Sequence, residues 1–296
     1  MGAAVSAKND GPKGEGEDVM DAGSVKIDRP IFIVGMPRSG TTIFYEKMAL
    51  HPEVAFLSQN TRKFPRSVVL SRLHSLIRRN PKPTEAPRVW MRAVRKEDDT
   101  LTRADATPKL CRYYRDVVAT QLLLAGKPRF LGKYPRNGLR LEFLNAIFPD
   151  CLFVHLIRDG RAVTKSILEK RESHGGRNAY WGIRPPGWRD LLDRDPIEAI
   201  GLQYAWSITA IRAQAKAFSP DRYREVRYED FCANPKTVLE QTAGFCGLTW
   251  PRAMLDRVTE GIRDRNSQWQ DLFATDELAT LERTMGPLLR DLGYKA

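Results

Sequence analysis

The stretch "PIFIVGMPRSGTT" at residues 30–42 limits what this chain can fold into more than any other. A short continuous apolar run ending in glycine suits a strand buried on both faces of a parallel sheet. The "TTIFYEKMALH" that follows places Ile43, Phe44, Met48 and Leu50 at helical spacing, and "HP" closes the helix. Strand, glycine loop and helix in that order make a phosphate-binding loop of the G-x-x-x-x-G-K-[ST] kind. Its lysine is missing, however: Thr41 stands in that place, and Arg38 lies inside the loop.

The alternation continues along the chain. "EVAFLS", "PRFLGKY", "CLFVHLIR" and "YREVRY" read as strands, and "SVVLSRLHSLIRR", "PKLCRYYRDVVATQLLLAG", "LRLEFLNAIF", "GRAVTKSILEKR", "PIEAIGLQYAWSITAIRAQAKAF" and "PKTVLEQTAGFCGL" as helices. A helical stretch ending in "LLRDLGY" closes the chain, and there is no internal repeat. Strands alternating with helices predict an α/β fold of three layers, a central parallel sheet flanked by helices, with ligands outside the carboxyl ends of the strands. Residues 172–195 interrupt the pattern with Gly, Pro and the aromatics Tyr180, Trp181 and Trp188, as expected of a lid or binding loop.

With 296 residues, 42% of them hydrophobic, the chain can bury one large core. The reading is a disordered, Gly-rich tail over residues 1–25 and a single domain over 26–296. "MGAAVS" fits a myristoylation pattern at Gly2 that is too short to carry weight. A net charge of +12, spread over many short basic clusters, implies an anionic partner held by a folded site. Cys111, Cys151, Cys232 and Cys246 form no C-x-x-C pair and read as reduced thiols, which favours a cytoplasmic location. There is no apolar run long enough to span a membrane.

A glycine-bounded turn at a helix N-terminus points several N–H groups and the helix dipole at one spot, suited to phosphate or sulfate oxygens. Pro37, Arg38, Ser39, Gly40, Thr41 and Thr42 form this first candidate site. The second is "LFVHLIRDGRAVTKS", again a buried strand followed by a helix. There Arg158 and Ser166 could meet one anion if Arg158 reaches forward over the helix.

Together the two motifs resemble those of sulfotransferases that use 3′-phosphoadenylyl sulfate (PAPS). "VGMPRSGTT" is similar to their 5′-phosphosulfate loop and "RDGRAVTKS" to their 3′-phosphate motif, in the same order and roughly 120 residues apart. "HPEV", "GKYPRN", "FPDCLFVHLIRD", "RYEDF" and the terminal "GY" extend the likeness from about residue 30 to the end. The arginine in the first loop is nearest to the tyrosylprotein and bacterial-type branches. The resemblance implies in-line transfer of a sulfuryl group to a hydroxyl or amine, with adenosine 3′,5′-bisphosphate as product and no metal. It also implies that Lys133 stabilises the leaving oxygen, that Tyr228 lies near the adenine, and that Arg265, Ser267 and Trp269 belong to a segment closing over the nucleotide.

The acceptor side is less legible. The glutamate that acts as base in the tyrosylprotein branch is replaced here by Gln59 or Asn60, and the histidine of cytosolic members by Pro135. An amide cannot take a proton. Glu172 and His174, opening the aromatic loop, are the candidates in their place. His51 reads as a surface turn residue, His155 as a core histidine and Asp105 as a helix cap. Gln59, Tyr180, Trp181 and Trp188 are expected to meet an acceptor, which could be a small molecule, a glycan or a lipid head group. A homodimer is left open. Nucleic acid is not an expected partner. The competing readings are a P-loop nucleotide kinase and a non-catalytic basic protein that binds polyanions.

Overall fold

The computed structural model describes residues 25–77, 81–92, 96–262, 264, 269 and 272–295. The expected tail, but for Val25, and the candidate residues Arg265 and Ser267 lie outside the described residues. Five strands form one sheet: β1 (Ile31–Val34), β2 (Val54–Phe56), β3 (Arg129–Lys133), β4 (Leu152–Ile157) and β5 (Tyr223–Arg227). Their order is β2-β3-β1-β4-β5, and every neighbouring pair is parallel.

The helices are α1 (Thr41–Met48), α2 (Val68–Ile77), α3 (Pro87–Trp90), α4 (Pro108–Ala125), α5 (Leu141–Ile147) and α6 (Gly160–Glu172), then α7 (Pro196–Ala215), α8 (Tyr228–Ala233), α9 (Pro235–Phe245), α10 (Arg252–Val258) and α11 (Thr275–Asp291). α7 shows why such segments start where they do. Pro196 at its first position needs no N–H partner, and the Asp195 carboxylate accepts from the Ile197 N–H at 2.8 Å.

The pleat of β1 sorts its side chains onto two faces. Phe32 and Val34 enter a core with Trp90, Tyr114, Phe143 and Phe153; Ile31 and Ile33 enter another with Phe44, Phe231 and Leu239. Both faces are covered, which is why the strand is apolar at every position. In the first core Phe32 meets Trp90 edge-on at 5.9 Å, and Trp90 stacks on Tyr114 at 5.5 Å. A third cluster, including Ile167, Ile200, Tyr204 and Met285, joins α6, α7 and α11.

One expectation needs correction: His51 is not a surface turn residue but fully buried. The "HP" turn folds under the loop that leads into α10. There His51 Nδ1 accepts from the Glu53 N–H at 3.2 Å, its Nε2 lies 3.1 Å from the Thr249 carbonyl, and Trp250 meets the ring at 4.7 Å. His155 is the core histidine expected, with Nδ1 2.5 Å from the Tyr223 hydroxyl. Asp105 caps a short turn, accepting from the Thr102 N–H at 2.7 Å.

Burial lowers the pKa of both His51 and His155 below the ordinary 6.5. Below that value the unfolded chain binds protons that the folded chain refuses, so stability falls as pH falls through it. Urea unfolding at about pH 7 and about pH 5 should therefore show a loss of stability at the lower pH, smaller in His155→Gln than in the parent chain.

Candidate active site

Because β1 lies between β3 and β4, three carboxyl ends converge: the 35–40 loop after β1, Lys133 ending β3, and Arg158 just past β4. Arg38 and Gly40 both adopt left-handed backbone, with φ of 73° and 82°. For arginine this is a strained conformation that its surroundings must hold. They do so from both ends: Arg38 Nε donates to Ser166 Oγ at 2.8 Å, and the Arg38 carbonyl accepts from Arg158 Nη1 at 2.9 Å. The two anion motifs therefore meet at one residue.

Pro37, Arg38, Gly40, Thr41, Thr42, Arg158 and Ser166 line one cleft of about 810 Å³. The first-turn N–H groups of α1 have no acceptor within the helix and face its N-terminal end. Ser39 Oγ is buried there with no hydrogen-bond partner among the described residues. A buried orphan hydroxyl, an N–H cradle and a guanidinium suit an oxyanion well.

Arg158 stacks on the Tyr228 ring at 4.5 Å, and its carbonyl accepts from the Tyr204 hydroxyl at 2.7 Å. The ring of Tyr228 also packs against the glycine loop. A Cβ added at Gly40 would lie 2.2 Å from Tyr228 Cδ2, so only glycine fits. Glu229 accepts from the Asp159 N–H at 3.1 Å and from the Tyr294 hydroxyl at 2.9 Å, which ties "RYEDF" and the terminal "GY" to the start of α6. Trp269 lines the cleft and lies 4.3 Å from the Arg161 guanidinium.

Lys133 is buried, not solvated. Its Nζ donates to Thr42 Oγ1 at 3.0 Å and forms an ion pair with Glu85, whose side chain is 39% exposed on the cleft wall. Burial pushes the Lys133 ammonium below the ordinary lysine range, and the Glu85 carboxylate opposes that shift. The sequence reading missed Glu85, which lies in the irregular "PTEAP" before α3 and belongs to no periodic element. Its one signal is that it is the first acid after Glu53.

Tyr180 and Trp181, on the loop after α6, line the same cleft. Gln203, buried on α7, holds their loop through three acceptors: the Tyr180 hydroxyl at 2.9 Å, the Trp181 carbonyl at 3.1 Å and the Ile183 carbonyl at 2.7 Å. Asp99 fixes the next residue, accepting from the Arg184 N–H at 2.8 Å and from Arg136 Nη1 at 2.8 Å.

Four expected residues lie elsewhere. Glu172 is the last residue of α6, and His174 is an exposed side chain hydrogen-bonded to Ser173; neither lines the cleft, whose α6 residues are Ala162, Lys165, Ser166 and Glu169. Gln59 lines a separate basic pocket with Arg62, Lys63, His74 and Arg88. Trp188 turns away to donate to the Glu97 carbonyl at 2.9 Å and to stack with Arg184.

Residues 30–252 match the model of the sulfotransferase family. The chain is 24% identical over 229 residues to a protein-tyrosine sulfotransferase of Drosophila melanogaster, covering 76% of this chain and 39% of that protein. It is 23% identical over 287 residues to protein-tyrosine sulfotransferase A of Caenorhabditis elegans, covering 89% of this chain and 67% of that one. Among solved structures, a sulfotransferase of Mycobacterium avium shares the fold with a TM-score of 0.60 at 14% identity, over 94% of this chain and 80% of that one. The family model spans most of the chain and includes both anion motifs, and the chain belongs to the sulfotransferase family.

Proposed function

We propose that this chain transfers a sulfuryl group from PAPS to a hydroxyl acceptor. The observation that carries the reading is Arg38 bonded at once to Ser166 and Arg158, in a phosphate loop that lacks the lysine of nucleotide triphosphatases. One anion site beside the glycine loop and a second at Arg158 and Ser166 match a nucleotide charged at both its 5′ and 3′ positions. The chain's similarity to protein-tyrosine sulfotransferases supports sulfuryl transfer. Cys111, Cys151, Cys232 and Cys246 form no disulfide with one another, which supports a reducing, cytoplasmic setting.

In this proposal Pro37, Ser39, Gly40, Thr41 and Thr42 cradle the 5′ side, Arg158 and Ser166 hold the 3′-phosphate, and Tyr228 and Trp269 flank the base. Arg38 faces the transferring group and Lys133 the oxygen that leaves. Charge accumulates on that oxygen as the bond breaks, so fixed cations in a water-poor cleft lower the barrier. Glu85 is the base. Its carboxylate takes the acceptor proton, the acceptor oxygen bonds to sulfur, the bond from sulfur to the 5′-phosphate oxygen breaks, and adenosine 3′,5′-bisphosphate departs. Glu85 fits the role because it is the carboxylate paired with Lys133, which also donates to Thr42, and because it lines the same cleft as Tyr180 and Trp181. Tyr180 and Trp181 offer an apolar, aromatic-lined acceptor pocket.

Adenosine 3′,5′-bisphosphate at a hundredfold excess over its Kd should stabilise the fold by about 2.7 kcal/mol, which melting curves resolve. ATP with magnesium, or DNA, should do far less; no shift with the bisphosphate would end the PAPS reading. Glu85→Gln should cut transfer by about two to four orders of magnitude and leave bisphosphate binding in place. Unchanged turnover in Glu85→Gln would remove it as the base. Arg158→Ala should chiefly weaken bisphosphate binding, while Arg38→Ala abolishes transfer; the reverse pattern would exchange their roles.

A further inference from the structure

Helix α2 is amphipathic the wrong way round for a helix on a globular core. Val69, Leu70, Leu73, Leu76 and Ile77 are 64%, 46%, 53%, 72% and 83% exposed. At 100° per residue they form one continuous stripe about 120° wide. Apart from the exposed Arg72, its polar residues face inward. Ser71 is buried and donates to the Phe64 carbonyl at 2.8 Å, Ser75 donates to the Ser71 carbonyl at 2.7 Å, and His74 Nδ1 lies 2.9 Å from the Asn60 carbonyl. The helix is thus fixed to the body through its polar side, and its apolar side points to solvent.

The chain segment that carries this stripe is charged in one sign. Between Glu53 and Glu85 the sequence carries seven Lys or Arg residues and no Asp or Glu. Arg62, Lys63, Arg66 and Arg72 are exposed beside or on the helix, and Arg66 is tied to Asp116. A second copy of the chain seated on this face would bring two such basic segments together. An anionic surface would attract both the stripe and its flanks, because an apolar face enters the acyl boundary while Lys and Arg reach the head groups.

We propose that α2 docks this protein on anionic phospholipid, with Leu73, Leu76 and Ile77 inserted and Arg62, Lys63 and Arg72 at the head groups. The inference rests on α2 alone and holds whatever reaction the cleft performs. Each basic side chain near such a surface strengthens binding roughly fivefold, so the attachment is sensitive to salt.

The test is co-sedimentation of the full chain with vesicles of phosphatidylcholine containing about one third phosphatidylserine, at low and at high salt, against pure phosphatidylcholine. Binding to the mixed vesicles, at least tenfold weaker in Leu73→Glu/Leu76→Glu and severalfold weaker in Arg72→Glu, is the expected result. Melting curves identify any variant that fails to fold, and Arg72→Glu keeps the apolar stripe intact as the independent variant. Equal sedimentation of the parent chain and both variants overturns the proposal, as does absence of binding at low salt. A soluble dimer that Leu73→Glu/Leu76→Glu dissociates would mean a second copy covers the face, and stable capture of acidic proteins without lipid binding would mean a protein partner does; either result overturns it as well.

Discussion

Two hydrogen bonds on Arg38, one from its Nε to Ser166 and one to its carbonyl from Arg158, exist because β1 and β4 are immediate neighbours in the sheet. Parallel pairing in register, Val34 opposite His155, brings the glycine loop and the Arg158 turn out at the same edge. The left-handed backbone of Arg38 is then held by partners 120 and 128 residues away. Neither loop has this geometry by itself. The sheet order makes them one site, as is general for ligands bound where parallel strands diverge to opposite sides.

The same edge explains the balance of charge in the cleft. Arg38, Lys133 and Arg158 are brought together by three strand ends, and Lys133 is buried. A buried ammonium is costly unless a carboxylate and a hydroxyl accept from it, and Glu85 and Thr42 do so. Stability and the proposed chemistry thus draw on the same group: the acid that makes Lys133 tolerable is also the one proposed as the base.

The sheet and its long helices were legible because buried parallel strands and amphipathic helices leave periodic traces: "PIFIV" and "CLFVHLI" needed no tertiary information. The residues proposed to hold the nucleotide were legible for a related reason, since they lie within two short motifs attached to those strands. Those proposed for the acceptor side were not. Glu85 comes from an irregular segment whose position is set by Leu57–Thr84 backbone pairing and by Lys133, and nothing local announces it. Glu172 and His174 looked suitable by proximity in sequence to the aromatic loop, but a helix of 13 residues carries its far end away from the sheet edge. His51 misled because a residue in a turn is exposed only if nothing covers the turn, and here Trp250 does.

The fit of Gly40 against Tyr228 has a consequence for how such a site can change over time. A ring pressed on the glycine loop on one side and carrying the Arg158 guanidinium on the other leaves position 40 no room for even a methyl group. Residues 188 positions apart are therefore coupled: a side chain at position 40 would require the Tyr228 ring to move, and with it the surface on which Arg158 stacks.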